Sequence, residues 1–241
     1  MDSVHRRQTR GRGQGEAGRA DLPDLDTSVQ LLEAVDTDVR APLHALTIDQ
    51  VLLAGASGAS TGIWVDTGRY AQTTSLHDIA PSPRVLDRLH IARGFTAYQH
   101  YALIEKAVSQ IDSSTVLLVV PAVDAPYRNS DEAEEDAHEM LLRVLAQLAR
   151  VPRRYNIPVL VTRTGDDRFG ESVAELAAET FTYRETRVGP RFEGDDHETL
   201  VYDVGNGWVQ TTLAYWRQVL DARRPLYASV DADITAGSTE V

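Results

Sequence analysis

A run of five apolar residues near the middle of the chain, residues 116–120 (VLLVV), constrains the fold more than any other segment. A strand that is covered on both faces lacks the polar–apolar alternation of a half-exposed strand, and such strands are typical of parallel sheets. The run therefore predicts an interior strand of a parallel sheet. A sheet of that kind needs helices on both of its faces, so the rest of the chain is expected to supply them.

The segments around this run alternate between strand and helix patterns. Further strands are predicted at 30–35, 63–65, 91–92, 157–162, 181–184, 199–204 and 209–213. Helices are predicted at 43–54, 82–90, 96–111 and 173–178. A further helix is predicted to open with the acidic residues 131–136, to carry the apolar stripe Leu141, Val144, Leu145 and Leu148, and to end with Arg150, Arg153 and Arg154. Repeated strand–helix–strand units predict an α/β fold with a doubly wound, mainly parallel sheet that is closed by an antiparallel C-terminal edge.

The two ends of the chain differ in composition from its middle. Residues 1–20 carry five Arg against two carboxylates, and four glycines fall within positions 11–18. Such a segment buries too little apolar surface to fold. We therefore expect a disordered arm at 1–24, a single domain at 25–225 and a disordered tail at 226–241. An Arg/Gly arm can bind nucleic acid by releasing counterions, and an arm that only solubilises the chain is an equal alternative.

The overall charge combines acidity with a shortage of lysine. The formal net charge is −12, and Lys106 is the one lysine among 24 basic residues. Acidic, lysine-poor surfaces suit concentrated salt, which favours a haloarchaeal type of cytoplasm; a GC-rich genome is the alternative explanation. The absence of cysteine excludes thiolate metal sites and cysteine nucleophiles. No apolar run reaches the ~20 residues of a membrane span. We expect a cytoplasmic protein with no metal, no cofactor and no membrane partner.

Four short strings carry a resemblance to a known family. They are residues 63–70 (IWVDTGRY), 91–96 (IARGFT), 117–128 and 148–162. In this order and spacing, residues 28–213 resemble the RecA/RadA-type recombinase ATPase core, in its archaeal RadA/KaiC-like branch. The first string is similar to the family's strand ending in Asp-Thr-Glu-Gly, and the third to its Walker B strand with the aromatic–Arg pair that follows. The resemblance implies a RecA-like fold of the P-loop NTPase type.

The phosphate-binding loop that the resemblance implies is degenerate. A P-loop, GxxxxGK[ST], wraps phosphates with backbone N–H groups and supplies a lysine and a hydroxyl for Mg²⁺. The corresponding turn, residues 36–42 (DTDVRAP), has neither glycine nor lysine, and its proline removes one N–H donor. The degenerate positions are Asp36, Thr37, Asp38 and Arg40. The glycine-rich residues 55–61 also lack lysine and precede a strand, so they are interpreted as a connection.

The other catalytic positions that the resemblance implies are altered as well. The Walker B carboxylate falls at Pro121, and the glutamate that polarises the attacking water falls at Gly68. The pair that senses the γ-phosphate falls at Arg163 and Thr164. The apolar strands that carry these positions are intact. We therefore expect a pseudo-ATPase that acts by binding, as a scaffold or regulator connected with DNA recombination or repair.

Two alternative functions remain open. Arg163, Arg168 and Phe169 lie where related recombinases carry a DNA-contacting loop, here residues 163–170. With the Arg-rich arm they would form a single-stranded nucleic-acid-binding accessory factor. Alternatively, Arg40 and Asp124 would supply the ligands of a nucleotide-binding ATPase with an unorthodox phosphate loop.

A protein partner is implied by the loss of catalytic groups. The resemblance suggests a RadA-like ATPase or a second copy of the chain as that partner. The family's subunit-joining Phe-x-x-Ala motif is absent from the arm, which argues against filament formation by that route. Residues 181–192 combine three Arg with three aromatic residues, which fits either an interaction edge or salt bridges to acidic neighbours.

Overall fold

An eight-stranded sheet organises the residues that the computed structural model describes, which are 22–54, 60–186, 189–194, 198–200 and 212–227. The strands are β1 (Val29–Val35), β2 (Thr61–Asp66), β3 (Leu89–Arg93), β4 (Thr115–Val120), β5 (Val159–Val161), β6 (Glu179–Thr186), β7 (Gly189–Glu193) and β8 (Glu198–Leu200). They pair in the order β3-β2-β4-β5-β1-β6-β7-β8. Strands β1 to β6 are parallel, and β7 is antiparallel to both β6 and β8. The predicted α/β fold, mainly parallel with an antiparallel edge, is confirmed.

Helices cover both faces of the sheet. They are α1 (Arg40–Leu53), α2 (Thr73–Ile79), α3 (Ala97–Ser109), α4 (Ala125–Arg128), α5 (Glu134–Leu148), α6 (Val151–Tyr155), α7 (Arg168–Leu176) and α8 (Thr212–Ala222), with a 3₁₀ helix at Pro83–Arg88. Helices α1, α2 and α8 bury their apolar residues in one core, and α3, α5, α6 and α7 do so in the other. The sheet is therefore doubly wound, as predicted.

The central strand β4 explains why the sheet has two cores. Four of its six residues, 117–120, are fully buried. Successive side chains of a strand point to opposite faces. Leu117 and Val119 accordingly pack in the core beneath α1, and Leu118 and Val120 pack in the core beneath α5. The unbroken apolar run in the sequence results from this burial on both faces.

Three local predictions are wrong. Helix α7 begins at Arg168 rather than 173, because the carboxylate of Asp167 caps it by accepting the N–H groups of Phe169 and Gly170 at 3.1 and 3.2 Å. The segment 82–90 is a short 3₁₀ helix followed by the start of β3. Leu213, predicted to end a strand, lies in α8, and residues 201–211 are outside the described part of the chain.

The described fold extends beyond both predicted domain boundaries. Leu22, assigned above to the arm, is buried in the core at 4 % exposure. Tyr227, assigned to the tail, donates a hydrogen bond from its hydroxyl to Asp49 at 2.6 Å. Residues 1–21 and 228–241 lie outside the described residues, so the predicted disorder there stays a prediction. No described helix has the length and apolar character needed to cross a membrane.

Candidate functional site

A crevice opens at the carboxyl ends of β1 and β5. Helix α1 follows β1 on one face of the sheet, and α7 follows β5 on the other. Doubly wound sheets bind ligands where the connections from adjacent strands diverge in this way. The crevice has a volume of about 560 Å³ and is lined by residues 37–40, Tyr70 and residues 163–166, among others. The structure thus brings the degenerate phosphate turn and the altered sensor pair together.

The turn after β1 carries two carboxylates, those of Asp36 and Asp38. Asp36 adopts a left-handed conformation with φ 58°, which turns the chain into α1. The carboxylate of Asp38 accepts the backbone N–H of Arg40 at 2.9 Å and pairs with its guanidinium at 2.9 Å. The Arg40 guanidinium also lies over the Tyr70 ring, 5.1 Å from its centroid. The first N–H of α1 is therefore already bound to an anion that belongs to the protein.

The opposite wall of the crevice is held by Arg163. Its Nε donates to Glu33, which lies on β1, and its Nη2 pairs with Asp166 at 2.9 Å. The Arg163 side chain is only 18 % exposed. Both described ion pairs direct its charge towards carboxylates of the protein, so this cation is largely neutralised before any ligand arrives.

Asp124 occupies the centre of a buried network beneath the same wall. Its side chain is fully buried, and it accepts the backbone N–H of Thr164 at 3.0 Å and the Thr164 hydroxyl at 3.1 Å. The Arg128 guanidinium lies 2.5 Å from its Oδ2 and also reaches Asp167 at 2.5 and 2.7 Å. This ion pair holds the pKa of Asp167 below its usual range, helped by the N–H groups at the start of α7.

Pro121 and Gly68 are not among the described lining residues of the crevice. The Pro121 carbonyl, at the position expected for the Walker B carboxylate, accepts the hydroxyl of Thr67 at 3.2 Å. Gly68 turns the chain after β2 with φ 71°, where a side chain would be strained. The two positions serve chain geometry, and neither brings a carboxylate to the strand ends.

Asp66 is a buried acid that the sequence analysis did not single out. It is 1 % exposed and accepts the backbone N–H groups of Tyr70 and Ala71 at 2.9 and 3.1 Å. Arg93 pairs with its other oxygen at 3.2 Å. An aspartate that ends a strand just before a glycine turn often accepts backbone N–H groups in this way, and that signal could have identified it.

The side chains proposed to contact nucleic acid already contact other residues of the protein. Arg168 pairs with Glu134 and Glu135 at 3.3 and 3.0 Å. Phe169 is 5 % exposed, with its ring edge-on to His138 at 5.4 Å, so neither face is open to a base. Arg163 is bound as described above.

The aromatic side chains of residues 181–192 belong to the core. The Tyr183 and Phe192 rings lie 5.3 Å apart and each lies 5.9 Å from the Trp216 ring of α8. All three side chains are buried. The antiparallel edge therefore uses its aromatic residues to hold α8 against the sheet. Its described arginines, Arg184 and Arg191, pair with Glu193 at 3.6 and 3.5 Å, as the alternative of salt bridges to acidic neighbours predicts.

Carboxylates lie on both walls of the crevice. Asp38 and Asp166 line it, and the nearby carboxylate of Asp124 is already bound by Arg128 and Thr164. Among the residues described, no group of three or more His, Asp or Glu side chains is arranged to hold a metal ion. Comparison of the chain with protein-family models and with curated proteins finds no match.

Proposed function

We propose that the chain is a RecA/RadA-like domain that has lost ATP hydrolysis and acts by binding a protein partner, as a scaffold or regulator. The observation that carries this proposal is the carboxylate of Asp38 on the first N–H of α1, at 2.9 Å. Helix N-termini bind phosphate because their unpaired N–H groups and dipole attract anions. Here an internal anion takes that place.

The charges around the turn oppose a triphosphate further. Asp36 adds a second, exposed carboxylate to the turn, and carboxylates repel phosphate groups. The basic residues that line the crevice in the described part of the chain are Arg40 and Arg163, and each pairs with a carboxylate. Lys106 is exposed on α3, in a different element from the turn. Phosphate binding would have to break existing ion pairs.

The position of Asp124 supports the loss of hydrolysis independently. A carboxylate that organises Mg²⁺ must face the phosphates with a free oxygen. Both oxygens of Asp124 accept the Thr164 N–H, and Oδ2 also faces Arg128. The carboxylate therefore fixes the loop after β5, which is a structural task. No step of ATP chemistry is assigned to it.

A nucleotide titration tests the proposal. The chain, in concentrated salt with Mg²⁺, is titrated with ATP while its thermal unfolding is followed and phosphate release is measured in parallel. We expect no rise in melting temperature and no phosphate release. A rise that is removed in Arg40→Ala and kept in Arg143→Ala, an exposed control on α5, would overturn the proposal in favour of an unorthodox nucleotide site.

The partner is tested by co-purification. A tagged chain recovered from native extract is expected to retain a RadA-like ATPase or an untagged second copy in stoichiometric amount. Recovery of the tagged chain alone, at a concentration where it is folded, would contradict the binding role.

A further inference from the structure

A groove distinct from the crevice runs between α3 and the segment after α4. Its larger part has a volume of about 600 Å³ and is lined in part by Gly94, Phe95 and Tyr98 on one side and by Asp131 and Glu132 on the other. A smaller part of about 400 Å³ shares Tyr98 and Glu132 and extends to Asp136. We call this continuous feature, with Phe95, Tyr98, Asp131, Glu132 and Asp136, the acidic groove.

Two aromatic side chains of the acidic groove are unusually exposed. Phe95 is 81 % exposed and Tyr98 is 60 % exposed. The other Phe, Tyr and Trp side chains among the described residues are buried or half-buried, and an exposed aromatic pair beside a groove marks a binding surface. A hydrogen bond with Glu132 raises the pKa of the Tyr98 hydroxyl, so this ring is held beside a carboxylate. The groove therefore offers aromatic faces and negative charge together.

The rim of the acidic groove carries carboxylates without a cation. Asp131, Glu132 and Asp136 are exposed, and none of them forms an ion pair within the described part of the chain. The neighbouring Glu134 and Glu135 differ, because they pair with Arg168. No described residue that lines the larger part is basic, and Arg143 in the smaller part pairs with Glu139 at 2.6 Å. Uncompensated negative charge is thus concentrated at one side of the groove.

Arginine is the side chain that best fits this combination. Its planar guanidinium stacks on aromatic faces and forms paired hydrogen bonds with carboxylates, whereas lysine offers only a point charge. The groove accordingly fits an arginine-rich segment.

The chain itself contains such a segment. Residues 1–20 carry five Arg and a net charge of +3, with glycines between the arginines at positions 10–15. The described fold begins at Leu22, and 20 extended residues reach ~65 Å. A compact domain of this size is ~45 Å across, so the groove is within reach of the same molecule's arm. We propose that residues 1–20 dock in the acidic groove of their own chain through arginine contacts with Phe95, Tyr98 and the rim carboxylates.

This docking goes beyond the proposed function and does not depend on it. An arm held in the groove has its arginines neutralised, so it cannot release phosphate counterions at the same time. Nucleic acid and the groove would therefore compete for one segment. The arm would act as a switchable element rather than as a permanent nucleic-acid tether.

Crosslinking between introduced cysteines tests the docking in the full chain. The chain has no cysteine, so the thiols of a double variant are the only ones present. Gln14→Cys places one thiol in the arm. Asn129→Cys, which lines the groove, supplies the second, and Ser109→Cys at the far end of α3 is the matched control. With a short bis-maleimide we expect intramolecular crosslinking to be about fivefold higher for Asn129→Cys, the ratio that ~1 kcal/mol gives.

Two further variants decide the cause of the crosslinking. Each variant is added to the Gln14→Cys/Asn129→Cys chain, and each should lower intramolecular crosslinking to the control level. The first replaces the aromatic residues, as Phe95→Ser/Tyr98→Ser. The second neutralises the rim, as Asp131→Asn/Glu132→Gln/Asp136→Asn. All altered side chains are exposed, so the fold should be kept, and thermal unfolding checks this. Equal crosslinking at Asn129→Cys and Ser109→Cys would overturn the proposal. Crosslinking that stays high in both groove variants would also overturn it. A crosslink that is mainly intermolecular on dilution would also overturn it, because the occupant would then be a second copy.

Discussion

The guanidinium of Arg128 lies 2.5 Å from the fully buried carboxylate of Asp124, one turn earlier in the chain. The same guanidinium reaches Asp167 at the start of α7, so one cation joins the end of β4 to the loop that follows β5. Burial in a low-dielectric environment makes such a pair costly to break and specific in geometry. The wall of the crevice is therefore fixed by an ion-pair network rather than left free for a ligand.

Arg128→Met is expected to lower the free energy of unfolding by ~3 kcal/mol, because it leaves the Asp124 carboxylate buried without its cation. Urea unfolding followed by tryptophan fluorescence measures the change. Asp124→Asn/Arg128→Met should recover part of the loss, since no buried charge then remains unpaired. Arg143→Met, in an exposed pair with Glu139, is the control and should change stability by less than ~0.5 kcal/mol. Equal effects of the two single variants would show that the network is not stabilising.

A second buried ion pair fastens the C-terminal region. Arg223 donates to both oxygens of Asp49 on α1 at 2.8 and 3.0 Å, and the two side chains are each 4 % exposed. Burial raises the pKa of Asp49, and Arg223 and Tyr227 oppose that change. Arg223→Met should therefore destabilise the chain by ~4 kcal/mol, and Tyr227→Phe by ~1.5 kcal/mol. The exposed neighbour Arg224 is the control, as Arg224→Met. Unchanged thermal unfolding of Tyr227→Phe would show that the Tyr227 hydroxyl does not stabilise the buried pair.

The sequence was informative where burial alone decides structure. The run at 116–120 predicted β4 because a strand buried on both faces has no polar positions. The stripe Leu141, Val144, Leu145 and Leu148 predicted α5 because one helical face is buried. Helix α8 was missed although its buried residues Trp216, Val219 and Leu220 stand at the i, i+3, i+4 spacing of a helix face, because the segment before it was interpreted as a strand.

The candidate site was predictable in its location and less so in its interactions. The resemblance placed the turn at 36–42 next to Arg163, and the structure places both at one crevice. The role of Asp124 could not be foreseen, because Thr164 and Asp167 bind the same network from some 40 residues away in sequence. The exposed rings of Phe95 and Tyr98 were missed because apolar residues are expected in the core.

Acidification is expected to destabilise the fold through His100. Its ring is fully buried, its Nδ1 is 2.8 Å from the Tyr127 hydroxyl, and burial lowers its pKa to about 4 from 6.5. The unfolded chain binds a proton at higher pH than the folded chain, so stability is complete above pH 6.5 and is lost as the pH falls towards 4. The loss from this group should reach ~2 kcal/mol at pH 5.

Urea unfolding at pH 7 and pH 5 measures this dependence. His100→Gln should be less sensitive to pH by about the same amount, and His77→Gln, at an exposed position of α2, should behave like the unaltered chain. Burial also lowers the pKa of His44, so some acid sensitivity is expected to remain in His100→Gln. An unaltered pH dependence in that variant would show that His100 takes up its proton without cost in the folded chain.

Nucleic-acid binding, if measured, should depend on the arm and not on the loop at 163–170. Replacing the five arm arginines by glutamine should remove most binding of a fluorescent oligothymidylate. The slope of log K against the logarithm of the salt concentration should become less steep by ~3. Arg163→Gln/Arg168→Gln should bind within about twofold of the unaltered chain, because Glu33 and Glu135 already neutralise these side chains. Fluorescence anisotropy at several salt concentrations compares the variants. Loss of binding in the loop variant, with the arm intact, would favour the accessory-factor function. In that case Phe169 would have to leave its buried position against His138 before a base could stack on its ring.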